Sequence, residues 1–280
     1  MFRHNKWFVI FLCAVLMSVC LGACTRRREG DMSAGMGLSS AAETPPAGDA
    51  SPTTVLGAMS DVAETARISE GPEEDDGFAA GPKLAARERV DDSFFSDAAF
   101  FGNSLMEGLG GYGGLESGSF FGHAKAALYN LDTDLSAELD DGGAGTLYQA
   151  MTQQQYGKIY VLLGINEIGW DASYFADRYG TFVDRLRQDE PEAEIYIMSL
   201  SPVTSEVSGS HEFFNMDRIY EYNEALLALA EETGCRYLDL CQALAGEDGY
   251  LPSERAAADG IHLTQEAYLL MESYLRTHYA

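Results

Sequence analysis

Short apolar runs alternate with longer stretches of three- and four-residue apolar spacing through the last two thirds of the chain. A run ending at Phe101 and runs over residues 127–131, 158–163, 194–200 and 236–240 read as strands. The clearest is KIYVLL at 158–163, which is β-branched, aromatic and unbroken. Residues 173–187 put Phe175, Tyr179, Phe182, Val183 and Leu186 close to helical spacing, and Pro191 stops the pattern. Further helices are expected after Ser104 and over 147–155, 217–233 and 264–278. Gly234 fits a C-terminal cap, Thr264 an N-cap, and Glu266 the first turn of the last helix. Apolar strands alternating with helices imply a parallel sheet covered on both faces. The expected fold is α/β: one three-layer α/β/α domain with a parallel sheet of about five strands. The glycine-rich loop at 110–118 lacks a lysine-serine pair, which excludes a phosphate-binding P-loop.

The first third reads differently. Residues 1–24 have the pattern of an export signal: Arg3, His4 and Lys6, an apolar run over 7–20, then Leu21-Gly22-Ala23-Cys24. Small residues before a cysteine resemble a bacterial lipobox, so Cys24 is the expected lipidation site and the mature N-terminus. An ordinary signal peptide or an uncleaved anchor are the other readings. Residues 25–90 are rich in Ala, Gly, Pro, Ser, Glu and Asp and are expected to be a disordered tether, with room for a short helix at 56–68. Arg26, Arg27 and Arg28 either touch lipid head groups or form a solvated charge run. The folded domain is expected over residues 91–280.

Charge narrows the partners. The chain carries a formal net charge of -26, and residues 91–280 hold 32 Asp and Glu against 9 Lys and Arg. A strongly acidic domain argues against nucleic acid and against flat docking on an anionic membrane. Of five cysteines, Cys13 and Cys20 would leave with the signal and Cys24 would carry lipid. On one continuous strand, Cys235 and Cys241 would stand about 20 Å apart, too far for a disulfide. They are expected to be buried thiols.

Three blocks carry candidate chemistry: Gly102-Asn103-Ser104-Leu105, Gly164-Ile165-Asn166-Glu167 and Asp259-Gly260-Ile261-His262. The first two follow predicted strands directly. A serine hydroxyl needs a neighbouring base to attack a carbonyl, and histidine is the usual one. Asp259, three residues before His262 on a turn, can fix the imidazole's tautomer. In order and spacing the blocks resemble the SGNH family, also called GDSL esterases and lipases, over about residues 94–280. The resemblance implies Ser104 as nucleophile, His262 as general base and then acid, and Asp259 as orienter. It also implies oxyanion donors from the Ser104 N–H, the Asn166 amide and a backbone N–H of a second-block glycine.

Two departures stand out. Asn103 replaces the usual aspartate, and the second-block glycine falls near Lys125 or Ala126, with Gly122 the nearest real glycine. The third donor is therefore unassigned. Asn103, Gly164 and Glu167 are grouped as supporting residues; Glu167 either braces its loop or is a solvated carboxylate. Trp170 either walls the site or packs in the core, core being the commoner fate of a tryptophan. His123 and His211 receive no role.

The resulting expectation is a lipid-anchored, extracytoplasmic serine ester hydrolase that removes short acyl groups, acetyl above all, from cell-envelope carbohydrate. Its partners would be a small ester or O-acylated glycan, and the membrane only through lipid. No cofactor and no metal are implied. The alternatives are a catalytically degenerate glycan-binding member and an acyltransferase using the same triad. Oligomeric state is not legible.

Overall fold

The computed structural model describes residues 82–280. The expected signal, Cys24, residues 26–28 and the helix at 56–68 lie outside the described residues. In chain order the elements are β1 (Ala98–Gly102), α1 (Ser104–Tyr112), β2 (Ser119–Gly122), β3 (Ala137–Glu138), β4 (Ala144–Gly145), α2 (Leu147–Met151), β5 (Lys158–Leu162), α3 (Ala172–Asp189), β6 (Glu194–Met198), α4 (Ser205–Ser210), α5 (Met216–Thr233), β7 (Arg236–Leu238), α6 (Leu240–Leu244) and α7 (Gln265–Leu275). Five of the strands form a parallel sheet in the order β2-β1-β5-β6-β7, as the apolar runs imply. β3 and β4 pair separately as a small antiparallel ribbon.

The two-residue period of a strand sorts these runs onto two faces. Ala99, Phe101, Ile159, Val161, Ile195, Ile197 and Tyr237 pack under α2, α3 and α5. Ala98, Phe100, Tyr160, Leu162, Tyr196, Met198 and Leu238 pack under α1, α6 and α7. On that second face Phe120, Phe100, Tyr160 and Tyr196 are in register and stack as a ladder. Their ring centres are 4.6, 4.7 and 4.4 Å apart, matching the strand spacing of about 4.8 Å. The ladder fixes the relative height of β1 and β5, the two strands whose ends carry the first two motif blocks.

Three expectations need correction. The second strand is Ser119–Gly122, not residues 127–131. At 127–131 the side chain of Asn130 accepts from Ala127 N–H (3.0 Å) and donates to the Lys125 carbonyl (2.8 Å), closing a turn. Such local bonds compete with a strand ladder even where the residues are apolar. The last strand stops at Leu238, because Asp239 accepts from Gln242 N–H at 2.9 Å and starts α6. Cys235 and Cys241 are nonetheless both free and buried, and burial pushes the Cys241 thiol up to about 12.

The third correction concerns residues 82–90, read from composition as tether. They lie against the sheet edge and the end of α7. Tyr237 N–H donates to the Pro82 carbonyl (2.7 Å), Leu84 N–H to the Tyr237 carbonyl (3.4 Å) and Val90 N–H to the Arg276 carbonyl (2.9 Å). An edge strand offers unpaired backbone groups whatever the sequence that meets them. Leu84 and Val90 add apolar contact to the α1/α7 core.

Candidate active site

In an open α/β sheet the crevice lies where neighbouring strands send their connections in opposite directions. Here that point is between β1 and β5: β1 leads outward to β2, and β5 leads to β6 on the other side. Both of the first two blocks sit at this edge.

At the end of β1 the backbones run very close. A Cβ on Gly102 would lie 2.3 Å from the Leu162 carbonyl oxygen, so no side chain is tolerated. Asn103 N–H donates to that same carbonyl at 3.2 Å, and His123 N–H to the Gly102 carbonyl at 3.1 Å. Asn103 is 1% exposed and caps α1, its side-chain oxygen accepting from Leu105 N–H at 3.0 Å. Ser104 is thereby the first residue of α1. Its N–H belongs to the first turn, where no helical carbonyl reaches it and the helix dipole is positive.

The third block reaches the serine from the loop before α7. Ser104 Oγ and His262 Nε2 are 2.9 Å apart, and His262 Nδ1 and Asp259 Oδ2 are 2.6 Å apart. Asp259 Oδ1 also accepts from the N–H groups of Ile261 (3.0 Å) and His262 (2.9 Å). Burial works to raise the Asp259 carboxyl, but these bonds, led by the His262 ring, hold it below its ordinary 3.8. A carboxylate accepting at Nδ1 keeps the proton there and leaves Nε2 free to accept from the serine.

Contacts outside the motif fix this turn. Gly260 has φ +70°, and a Cβ there would lie 2.5 Å from Thr204 Oγ1. Its carbonyl accepts from Thr204 N–H (3.0 Å), and Ala257 N–H donates to the His262 carbonyl (2.8 Å). Thr264 occupies the N-cap position of α7 but makes no side-chain capping bond.

Asn166 stands on a single 3-10 turn, Ile165–Glu167, beyond β5. Gly164 enters that turn at φ +126°, with Phe175 and Leu200 each 2.8 Å from where a Cβ would be, so glycine is required twice over. Asn166 is exposed, but its Nδ2 donates to the carbonyls of Ala124 (3.1 Å) and Ala126 (2.9 Å). The amide nitrogen is thus turned toward the loop after β2.

Glu167 is 1% exposed and braces that same loop, with Oε1 accepting from Leu128 N–H. Its Oε2 is buried without a partner among the described residues. Burial pushes the carboxyl up to about 7, against the pull of nearby backbone N–H groups. The solvated-carboxylate reading of Glu167 does not hold.

Gly122 is a packing residue, since a Cβ on it would meet the Glu107 backbone nitrogen at 2.3 Å. The turn at Ala124 and Lys125, which follows it, is exposed. Trp170 is half-buried against the core, and its carbonyl accepts from Tyr222 Oη at 2.8 Å. The same hydroxyl lies 2.6 Å from the Glu167 carbonyl, so its one proton is shared between two carbonyls, a fastening across 55 residues that no motif signals. A cavity of about 430 Å³ lies elsewhere, lined by Tyr220, Asn223, Leu227, Tyr237 and Cys241 among others, and holds no member of the three blocks. Ser104, His262 and Asp259 meet in the open crevice instead.

Several solved structures share this architecture. A Streptococcus pneumonia protein named for platelet activating factor is 20% identical, with a TM-score of 0.52 over 66% of this chain and 89% of that one. A GDSL-like lipase from Bacteroides thetaiotaomicron is 15% identical, with a TM-score of 0.49 over 66% and 87%. An acetyl xylan esterase is 16% identical, with a TM-score of 0.46 over 64% and 96%. At 20% identity the first of these likenesses is one of fold alone. No curated protein matches the chain. The sequence itself decides the family: residues 100–270, more than half of the chain and spanning all three blocks, match the GDSL-like lipase/acylhydrolase model, and the chain belongs to that family.

Proposed function

We propose that this acylhydrolase-family protein is a serine ester hydrolase working through Ser104, His262 and Asp259. The observation that carries the reading is the unbroken line of bonds from Ser104 Oγ to His262 Nε2 (2.9 Å) and from Nδ1 to Asp259 Oδ2 (2.6 Å). Ser104 Oγ attacks the ester carbonyl carbon while His262 takes its proton. The carbonyl oxygen becomes negative and is met by the Ser104 N–H at the positive end of α1. The alcohol leaves with the proton held by His262. Water, deprotonated by the same imidazole, then cleaves the acyl-enzyme and restores the serine.

Asn166 joins the oxyanion donors by releasing the longer of its two bonds, to the Ala124 carbonyl at 3.1 Å. The same bonds favour a second reading, a glycan binder that does not turn over, if the amide stays turned toward the loop.

The substrate is a short acyl ester, acetyl above all, on neutral cell-envelope carbohydrate. A domain carrying 32 acidic against 9 basic residues repels the anionic head groups a lipase must approach. Lipid on Cys24 holds the enzyme at the outer face of the cytoplasmic membrane. The segment between Cys24 and the domain is long enough to let the domain reach wall glycans.

The test measures acetate freed from O-acetylated glycans, and compares acetyl with long-chain acyl esters of one alcohol. Faster cleavage of long-chain esters or phospholipid vesicles would make it a lipase. Cys24→Ala should release the protein from membranes; unchanged membrane retention would sink the anchor.

A further inference from the structure

Tyr129, Tyr174 and Phe213 are 59%, 51% and 40% exposed, a high exposure for rings of this size. They gather around Trp170. The Trp170 ring centre is 5.9 Å from that of Tyr129 and 5.1 Å from that of Tyr174. The Phe213 ring stands 3.8 Å from the place a Cβ on Gly169 would take. A contiguous apolar patch left open to water marks a binding surface more often than a scatter of single residues does.

This patch is joined to the catalytic edge. Trp170 lies four residues beyond Asn166, so their Cα atoms are within about 14 Å. Trp170 N–H donates to the Glu167 carbonyl at 2.8 Å, and Arg218 Nε to the Ile168 carbonyl at 3.0 Å. Tyr129 follows Leu128, whose N–H is held by Glu167. The loops that bear Trp170 and Tyr129 are thus the two that Asn166 and Glu167 tie together, while Tyr174 stands on the first turn of α3.

The ring chemistry selects the occupant. Aromatic faces carry negative potential and attract weakly positive C–H groups laid flat on them. A pyranose ring offers such C–H faces, with its hydroxyls turned outward around the edge. The acidic charge of the domain disfavours an anionic lipid or nucleic acid on the same surface. We propose that Tyr129, Trp170 and Tyr174, flanked by Phe213, form a platform on which a neutral sugar ring of the substrate stacks while its ester reaches Ser104. This rests on the ester-hydrolase reading and assigns the alcohol side of its site.

The chain has two tryptophans, Trp7 and Trp170, so the full chain carrying Trp7→Phe reports on Trp170 alone. Combined with Ser104→Ala, it should show a saturable change in tryptophan emission with xylotetraose or chitotetraose, lost on adding Tyr129→Ala and Tyr174→Ala. With Ser104 intact, each tyrosine removed should raise KM for acetylated xylotetraose about 3- to 10-fold. The kcat/KM for 4-nitrophenyl acetate, which has no sugar, should stay within about twofold, a difference too small to count as a lost contact.

No emission change with either sugar overturns the platform, as does equal damage to both substrates. A greater loss on 4-nitrophenyl decanoate makes the rings an acyl-chain site and overturns it too. If 4-nitrophenyl acetate is cleaved but no sugar binds, the platform fails and the hydrolase stands. Sugar binding without any ester cleavage has the opposite meaning.

Discussion

Replacing Glu167 by glutamine keeps the shape of the side chain and an oxygen for the Leu128 N–H, but removes a charge from a site that is 1% exposed. Burial moves the carboxyl from an ordinary 4.5 to about 7. The folded state therefore holds the proton more tightly than the unfolded state. The favourable contribution is fully present below about pH 4.5 and is lost as pH rises through about 7. At about 1.4 kcal/mol per pH unit, the wild type should lose roughly 3 kcal/mol of stability across that window. Glu167→Gln has no such loss. Urea unfolding at pH 4.5, 6 and 8, run on both proteins, reads the difference directly. The gap between them should widen in favour of glutamine by about 2–3 kcal/mol from pH 4.5 to 8. Parallel curves would mean that Glu167 is ionised without cost and that its buried Oε2 has a partner. Glu167→Ala, which also loses the brace on the loop after β2, should instead be destabilised at every pH.

Three further outcomes are expected. Asn166→Ala should lower kcat by about 10²–10³ and Asn166→Asp at least as much; a mild effect from both would leave the amide where it stands, on the Ala124 and Ala126 carbonyls. Asn103→Asp should stay within about tenfold of the parent kcat, because aspartate caps a helix as well as asparagine does; complete loss would mean the uncharged residue tunes the site. Asp259→Asn should cut kcat by about 10³–10⁴, since an amide can donate to Nδ1 and impose the wrong tautomer; near-parental kcat would exclude Asp259 as the orienting partner.

Four of the five sheet strands were legible because they depend on local signals: apolar, largely β-branched or aromatic runs, with glycine at Gly102 and Gly164 where backbones crowd or φ turns positive. The misreadings share a cause. Residues 127–131 are apolar but are held in a turn by Asn130 and by Glu167 from 39 residues away. Residues 82–90 mix charged and small residues without a strand or helix period, and look unstructured until the outer edge of β7 is there to pair with them. Asn166 stands just beyond β5 as its motif implied, but its amide direction depends on carbonyls of a loop whose path was misjudged. The aromatic group around Trp170 was invisible because its members come from positions 129, 170, 174 and 213, which only the fold brings together.

The central claim is that Ser104 is a nucleophile activated by His262. A fluorophosphonate probe followed by intact-mass and peptide analysis tests it without knowing the substrate. We expect one adduct per chain, on the peptide containing Ser104. It should be absent in Ser104→Ala and formed at least about 10³-fold more slowly in His262→Ala. No adduct on the folded wild type, or an adduct that persists in Ser104→Ala, would contradict it.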